Sequence, residues 1–169
     1  MRKVAGVLVV AAMLLPLGLT AAPAGAASGT SCAVQTGTAS IKPGITPKAT
    51  NVTITVKETL SKCVGGGVTG GTETASILSK AATCAGLGKN GTKTGPIVGT
   101  ITWNTKKTSA VSINTVSDGL KATATGTVKS GLFAGQKIST TIQYSLSKGN
   151  CVVTPLTALT IKGLKPFVI

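Results

Sequence analysis

The segment CAGLGKNGTKTGP, residues 84 to 96, has the composition of a phosphate-binding loop, because it holds four glycines and two lysines in thirteen residues. A Walker A loop needs the pattern G-x-x-x-x-G-K-[ST] between a strand and a helix, so that backbone N–H groups converge on phosphate. Here Lys89 is followed by Asn90, Thr83 stands where the first glycine belongs, and no helical pattern follows. We therefore predict a basic loop that is tethered at its first cysteine, and no nucleotide site.

The inventory of reactive side chains argues against an enzyme. The chain has no histidine, which excludes Ser-His and Cys-His dyads and imidazole ligands of a metal. Glycoside hydrolysis needs two carboxyl groups across a cleft, and the chain has three acids, Glu58, Glu73 and Asp118. We predict no catalytic residue, metal or cofactor; the alternative is a secreted enzyme or inhibitor whose pocket the sequence does not show.

Glu58 is the acid that needs a closer look. It alternates in step with Val52, Ile54, Val56 and Leu60, so a strand could bury it with them. The competing interpretation is a glutamate near the end of a strand that turns to solvent or pairs with a lysine. We expect the exposed position.

The first 27 residues have the three parts of a secretory signal peptide. Two basic residues precede an apolar run from Val4 to Leu19, and a tract of small residues follows. Cleavage after Ala26 or Ala27 leaves residues 28 to 169 as a single β domain, secreted and possessing no transmembrane anchor. A lipid anchor on Cys32 is the alternative, but the apolar run ends too far before this cysteine.

Alternation of apolar and polar residues with a period of two dominates the predicted mature chain, which is typical of half-buried strands. It predicts strands at about 33 to 42, 51 to 60 and 72 to 79. Residues 97 to 146 predict a four-stranded antiparallel meander. One or two more strands follow in PLTALTIKGLKPFVI.

The register of the meander follows from keeping one face apolar. Inward residues face inward residues throughout the meander if Ile101 pairs with Val111 and Val128 pairs with Ile138. The hairpin turn at the Asp-Gly of residues 118 and 119 preserves the same arrangement. A slip by one residue at any of these turns would break the apolar face.

A sheet with one apolar face must cover it, and no amphipathic helix is available. We therefore predict an all-β, antiparallel sandwich of seven to nine strands, immunoglobulin-like or related. A closed β-barrel is the second choice. The few aromatic residues are expected to pack in the core or under loops: Trp103, Phe133, Tyr144 and Phe167.

Four cysteines in an exported domain predict two disulfides, with three possible pairings. Cys32 opens the first strand and Cys63 closes the second, so a hairpin favours this bond and leaves Cys84 for Cys151. A four-cysteine zinc site is the alternative, but the chain has no C-x-x-C pair.

The tracts TITWNTKKTSAVSI and VKSGLFAGQKI, together with the spacing of the four cysteines, resemble a family of small actinobacterial exported Gly/Thr-rich β proteins with no assigned activity. The resemblance implies export and a sandwich fold. It supplies no functional residues.

Residues 28 to 169 carry fifteen lysines against three acids, a net charge of 15 − 3 = +12. This charge favours an acidic partner such as an anionic wall polymer or acidic polysaccharide, although surface lysines also keep a sheet protein soluble. In the expected register Lys129 and Lys137 lie opposite each other. Their like charges would destabilise the strand pair, and a bound anion would relieve this repulsion. Four further lysines complete the predicted anion-binding set, namely Lys89, Lys93, Lys106 and Lys107. The predicted function is a secreted, non-catalytic binding or structural module of the cell envelope or medium.

Overall fold

The computed structural model describes residues 28 to 169, and the predicted signal peptide lies outside the described residues. This part of the chain folds into nine antiparallel strands and one 3₁₀ turn, Cys84–Gly86. The strands are β1 Ser31–Ile45, β2 Thr50–Val64, β3 Gly70–Ala82, β4 Lys93–Trp103, β5 Thr108–Asp118, β6 Lys121–Gly131, β7 Lys137–Lys148, β8 Leu156–Gly163 and β9 Phe167–Val168. The predicted strands are all present, and most are longer than expected.

The strands form a closed eight-stranded barrel, so the predicted sandwich is wrong and the second choice is the fold observed. Each strand from β1 to β7 pairs with the next along the chain, and β1 also pairs with β8. The short β9 pairs with β1 and β7 at one end. Curling the sheet until its edges meet buries the apolar face without a second layer. The sequence left this solution open because the closing pair, β1 with β8, is remote along the chain.

The four-stranded meander is β4 to β7, as predicted, but each hairpin is displaced by two residues. Ile101 pairs with Ser109, and Ile138 pairs with Gly126, each two residues from the expected partner. The turn between β5 and β6 is shifted too, since its first central residue is Gly119, at φ +60°. Because side chains alternate with a period of two, this displacement leaves the inward-facing set unchanged.

One end of the barrel is filled by aromatic side chains, and we call it the closed end. Trp103, Phe133 and Phe167 are each at most 2 % exposed. The Trp103 and Phe133 rings meet edge to face at a centroid distance of 5.3 Å. The indole Nε1–H donates a hydrogen bond of 2.8 Å to the Ser109 Oγ. The prediction that these aromatic residues pack in the core is confirmed.

At the opposite end, the open end, the wall of the barrel is incomplete. β3 and β4 pair only where residues 71 to 75 face residues 99 to 103. Beyond that point residues 76 to 82 of β3 and 93 to 98 of β4 separate, and we call this opening the β3–β4 gap. The segment between the two strands, residues 83 to 92, covers the open end.

Two disulfides fasten the two ends. Cys32–Cys63 joins β1 to β2 near the closed end, and Cys84–Cys151 ties the segment after β3 to the segment after β7 at the open end. This is the pairing that the sequence favoured. Because all four cysteines are bonded, the alternative zinc site is excluded.

Candidate ligand cavity

A cavity of about 330 Å³ lies inside the open end and is partly open to solvent. Its aliphatic lining comes from several strands, with Ile54 and Val56 on β2, Ile77 on β3 and Ile97 on β4. Serine and threonine side chains and the exposed Lys80 line it as well. The four aliphatic side chains alternate with exposed residues along their strands, yet they are only half-buried. They are apolar residues that face an unfilled space, and we call this space the outer cavity.

A smaller space of about 60 Å³, the inner chamber, lies deeper in the barrel. Both spaces are lined by the same five residues at their junction, namely Val56, Ile77, Ile97, Thr115 and Tyr144. The inner chamber also reaches Glu58, Glu73, Gln35 and Thr140. The two spaces therefore adjoin, and the inner chamber is the one that contains the two buried acids.

Glu58 is 5 % exposed and faces the inner chamber, so the predicted solvent-facing position is wrong. It stands opposite Gly37 of β1, where an added Cβ would lie 2.6 Å from the Glu58 Cγ. The absence of a side chain at Gly37 thus makes room for the carboxyl group. Gln35 Nε2 donates a hydrogen bond to Glu58 Oε2, and Thr140 Oγ1 donates one of 2.9 Å to Gln35 Oε1. These two hydrogen bonds in series hold the Glu58 carboxyl group in one orientation.

Glu73 completes the site, and sequence reasoning missed it. It is the direct cross-strand partner of Glu58 and is 6 % exposed. Within residues 28 to 169 its carboxyl group has no hydrogen-bond or ion-pair partner, in contrast to that of Glu58. The available signal was the alternation of Glu73 with Ala75 and Ile77, which places all three on the inner face.

The surroundings of Glu58 and Glu73 affect the pKa values of the two carboxyl groups differently. Burial raises the pKa of Glu58, whereas the hydrogen bond from Gln35 acts in the opposite direction and favours the ionised form. Burial, followed by the charge of Glu58, raises the pKa of Glu73 to about 8. Near neutral pH Glu73 is therefore mainly protonated. Burial and the charge of Glu58 also raise the pKa of Tyr144 to about 12, so the phenol is neutral.

The predicted anion-binding lysines are all exposed, but the structure does not gather them into one site. Lys137 pairs with Thr127, so the expected apposition of Lys129 and Lys137 is wrong. Lys129 lies at a register shift between β5 and β6, where the strand carries an extra residue. Lys106 and Lys107 lie in the β4–β5 turn, and Lys89 and Lys93 lie near the open end.

The Gly-rich segment from residue 84 to 96 forms part of the cavity rim. Gly86, Leu87 and Gly88 line the outer cavity, and Leu87 packs against the core at the open end. The one helical turn in the segment has three residues and no acidic or basic side chain in its turn. The expected loop tethered at Cys84 is present, and its role in the structure is to cover the barrel.

Two further findings concern the described part of the chain. Residues 28 to 169 contain no cluster of three or more side chains suited to bind a metal ion. Over the same residues, no helix has the length and apolar character needed to cross a membrane.

Comparison with protein-family models, curated proteins and solved structures finds no match to this chain. The resemblance to actinobacterial exported proteins therefore stays an expectation.

Proposed function

We propose that this protein is a secreted, non-catalytic binding module of the cell envelope or medium, and that its barrel binds a small molecule with an apolar body. The observation that carries the proposal is the outer cavity of about 330 Å³, whose lining surface is more apolar than polar and which is partly open to solvent. Concave, mainly apolar sites with a few polar groups are typical of small-molecule binding. The two disulfides agree with an oxidising, extracellular setting.

A secreted enzyme is the alternative, and the position of Glu58 at the base of a cavity is the feature that favours it. Binding is preferred for two reasons. Glu58 and Glu73 are direct neighbours on adjacent strands of one wall, whereas a glycosidase places its two carboxyl groups on either side of the scissile bond. The chain also has no histidine, which excludes Ser-His and Cys-His dyads.

Filling the outer cavity should abolish binding of an apolar probe. Ser79 is half-buried and lines the outer cavity, so in Ser79→Trp the indole should occupy the space. We expect the fluorescence enhancement of N-phenyl-1-naphthylamine with the wild-type protein, and at least a tenfold weaker affinity with the variant, since about 1.4 kcal/mol of lost contact is tenfold in affinity.

Ser76→Trp is the matched control, because Ser76 lies on the same strand but is exposed and does not line either space. It should bind the probe like the wild type. Equal binding by all three proteins would place the probe on the outer surface and contradict the proposal.

Weak binding of anionic polymers is a second candidate function, which the distribution of charge favours. All fifteen lysines of residues 28 to 169 are exposed, whereas only one acid, Asp118, is exposed. The formal surface charge is therefore 15 − 1 = +14, larger than the net charge suggests. Lysine provides diffuse attraction to anions rather than shape-specific recognition.

Retention on an immobilised acidic polysaccharide should fall steeply as salt rises, because exposed charges are screened over about 8 Å at physiological ionic strength. Since Lys129 and Lys137 are not apposed, replacing both by Gln should weaken retention no more than replacing Lys106 and Lys107. Retention that ignores salt, or equal retention on a neutral resin, would leave the lysines with a role in solubility only.

A further inference from the structure

The acidic pair at the inner end of the cavity is not explained by an apolar occupant. Glu58 and Glu73 are directly opposed on β2 and β3 and both are buried. Burying two carboxyl groups side by side costs stability unless a proton or a cation compensates them. Within residues 28 to 169 no lysine lines the inner chamber, and the exposed Lys80 lines only the outer cavity.

Glu73 is aimed into the inner chamber. No fully enclosed side-chain polar atom in the described part of the chain lacks a hydrogen-bond partner. The Glu73 carboxyl group has no such partner there, so its oxygens must open into the chamber that the residue lines. A bound group that donates hydrogen bonds would meet this carboxyl group directly.

We propose that the ligand is a hydrophobic amine, whose ammonium group contacts Glu58 and Glu73 in the inner chamber while its apolar body fills the outer cavity. This inference rests on the proposed function and names its ligand class. An ammonium group has three donors, and hydrogen bonds between charged partners are stronger than neutral ones. The chamber of about 60 Å³ has room for one small polar group.

Binding must move a proton. Near neutral pH Glu73 holds a proton, and an ammonium group favours the ionised carboxylate, so this proton leaves to solvent as the amine enters. Tyr144 of β7 is the remaining titratable group that lines the chamber. The other lining residues, from β1, β4, β5, β6, β8 and β9, do not ionise. We therefore expect amine affinity to rise with pH up to about 8, where Glu73 ionises in the free protein, and to fall when the amine itself deprotonates at about 10.4.

The exposed lysines oppose the approach of a cation but do not reverse the preference of the site. Their field is screened over about 8 Å at physiological ionic strength, whereas the carboxyl groups act at hydrogen-bond distance inside the barrel. Raising salt should therefore leave amine affinity unchanged or increase it, which is opposite to the salt effect expected for a polyanion.

The test compares octylamine, octanol and octanoate by calorimetry with the disulfide-bonded protein near neutral pH. The three probes share one apolar chain and differ in the head group. We expect octylamine to bind about tenfold more tightly than octanol, a difference of about 1.4 kcal/mol, and octanoate to bind most weakly. Titration in two buffers of different ionisation enthalpy should show release of close to one proton for each octylamine bound.

Glu73→Gln is the deciding variant, because it keeps the shape of the side chain and removes its ability to ionise. It should bind octanol as the wild type does and lose the preference for octylamine, together with the proton release. Asp118→Asn, which replaces an exposed acid, should keep both the preference for octylamine and the proton release. Octanol binding as tightly as octylamine in the wild type would overturn the amine inference and leave the proposed function standing. Failure of all three probes to bind would overturn both.

Discussion

Glu73→Gln is expected to stabilise the folded protein above about pH 8, by on the order of 5 kcal/mol, because each pKa unit corresponds to about 1.4 kcal/mol. The pKa of Glu73 is raised from 4.5 to about 8 by burial and by the charge of Glu58. The unfolded chain releases this proton at the lower pH and the folded chain at the higher one, so the wild type loses stability as pH rises between these two values. Glutamine does not titrate, so the variant does not lose this stability as pH rises.

Urea unfolding at several pH values measures this effect. The stability of the wild type should fall between about pH 5 and about pH 8, and the slope should be much smaller in Glu73→Gln. At about pH 4 the two proteins should be nearly equal, because Glu73 is then protonated in both states. Asp118→Asn provides the control at an exposed acid. A variant that keeps the full pH slope would show that Glu73 is solvated in the folded protein.

Trp103→Ala is expected to be the most destabilising single substitution at the closed end, at about 3 to 5 kcal/mol. Trp103 is 2 % exposed, meets Phe133 edge to face, and donates its indole N–H to Ser109. The substitution removes the ring that fills this end and leaves a cavity. Because Trp103 is the single tryptophan of the chain, unfolding should be followed by circular dichroism.

Two comparisons test the cause of this loss. Trp103→Phe keeps an aromatic ring but removes the donor to Ser109, so it should lose about 1 to 3 kcal/mol. Val98→Ala on the same strand should change stability little, because Val98 is 66 % exposed. A loss below about 1 kcal/mol for Trp103→Ala would show that the closed end repacks around the missing ring.

Local alternation was enough to locate the strands, and the hairpin logic was enough to pair Cys32 with Cys63. It could not choose between a sandwich and a barrel, because the same inward face satisfies both. The deciding fact is the pairing of β1 with β8, for example Ala39 with Leu159. This long-range pairing leaves no local trace.

The alternation of apolar and polar residues was also insufficient to determine the register of the paired strands. A slip by one residue exposes the core, but a slip by two keeps every inward residue inward, so the apolar pattern could not exclude it. Turn geometry decides between such registers. Phe133 adopts φ +65° in its loop and packs onto Trp103, and this contact sets the length of the β6–β7 turn.

The candidate site was predictable only in part, because burial of a charged residue contradicts its usual behaviour. Glu58 lay on the apolar face of its strand, and the general preference of glutamate for solvent outweighed that pattern in our expectation. The compensation comes from Gly37 and Gln35 on β1. Neither residue carries a signal that identifies it as a neighbour of Glu58 before the register is known.

The β3–β4 gap also bears on how molecules of this protein avoid joining one another. A complete barrel has no free strand edges, whereas this gap leaves backbone groups of two strands available to a strand from another molecule. Pro96 lies on the β4 side of the gap and has no backbone N–H to donate to another strand. The exposed Lys80 on β3 and Lys93 on β4 place like charges on the two sides of the gap. The features that obstruct intermolecular pairing thus lie beside the opening through which the proposed ligand would enter.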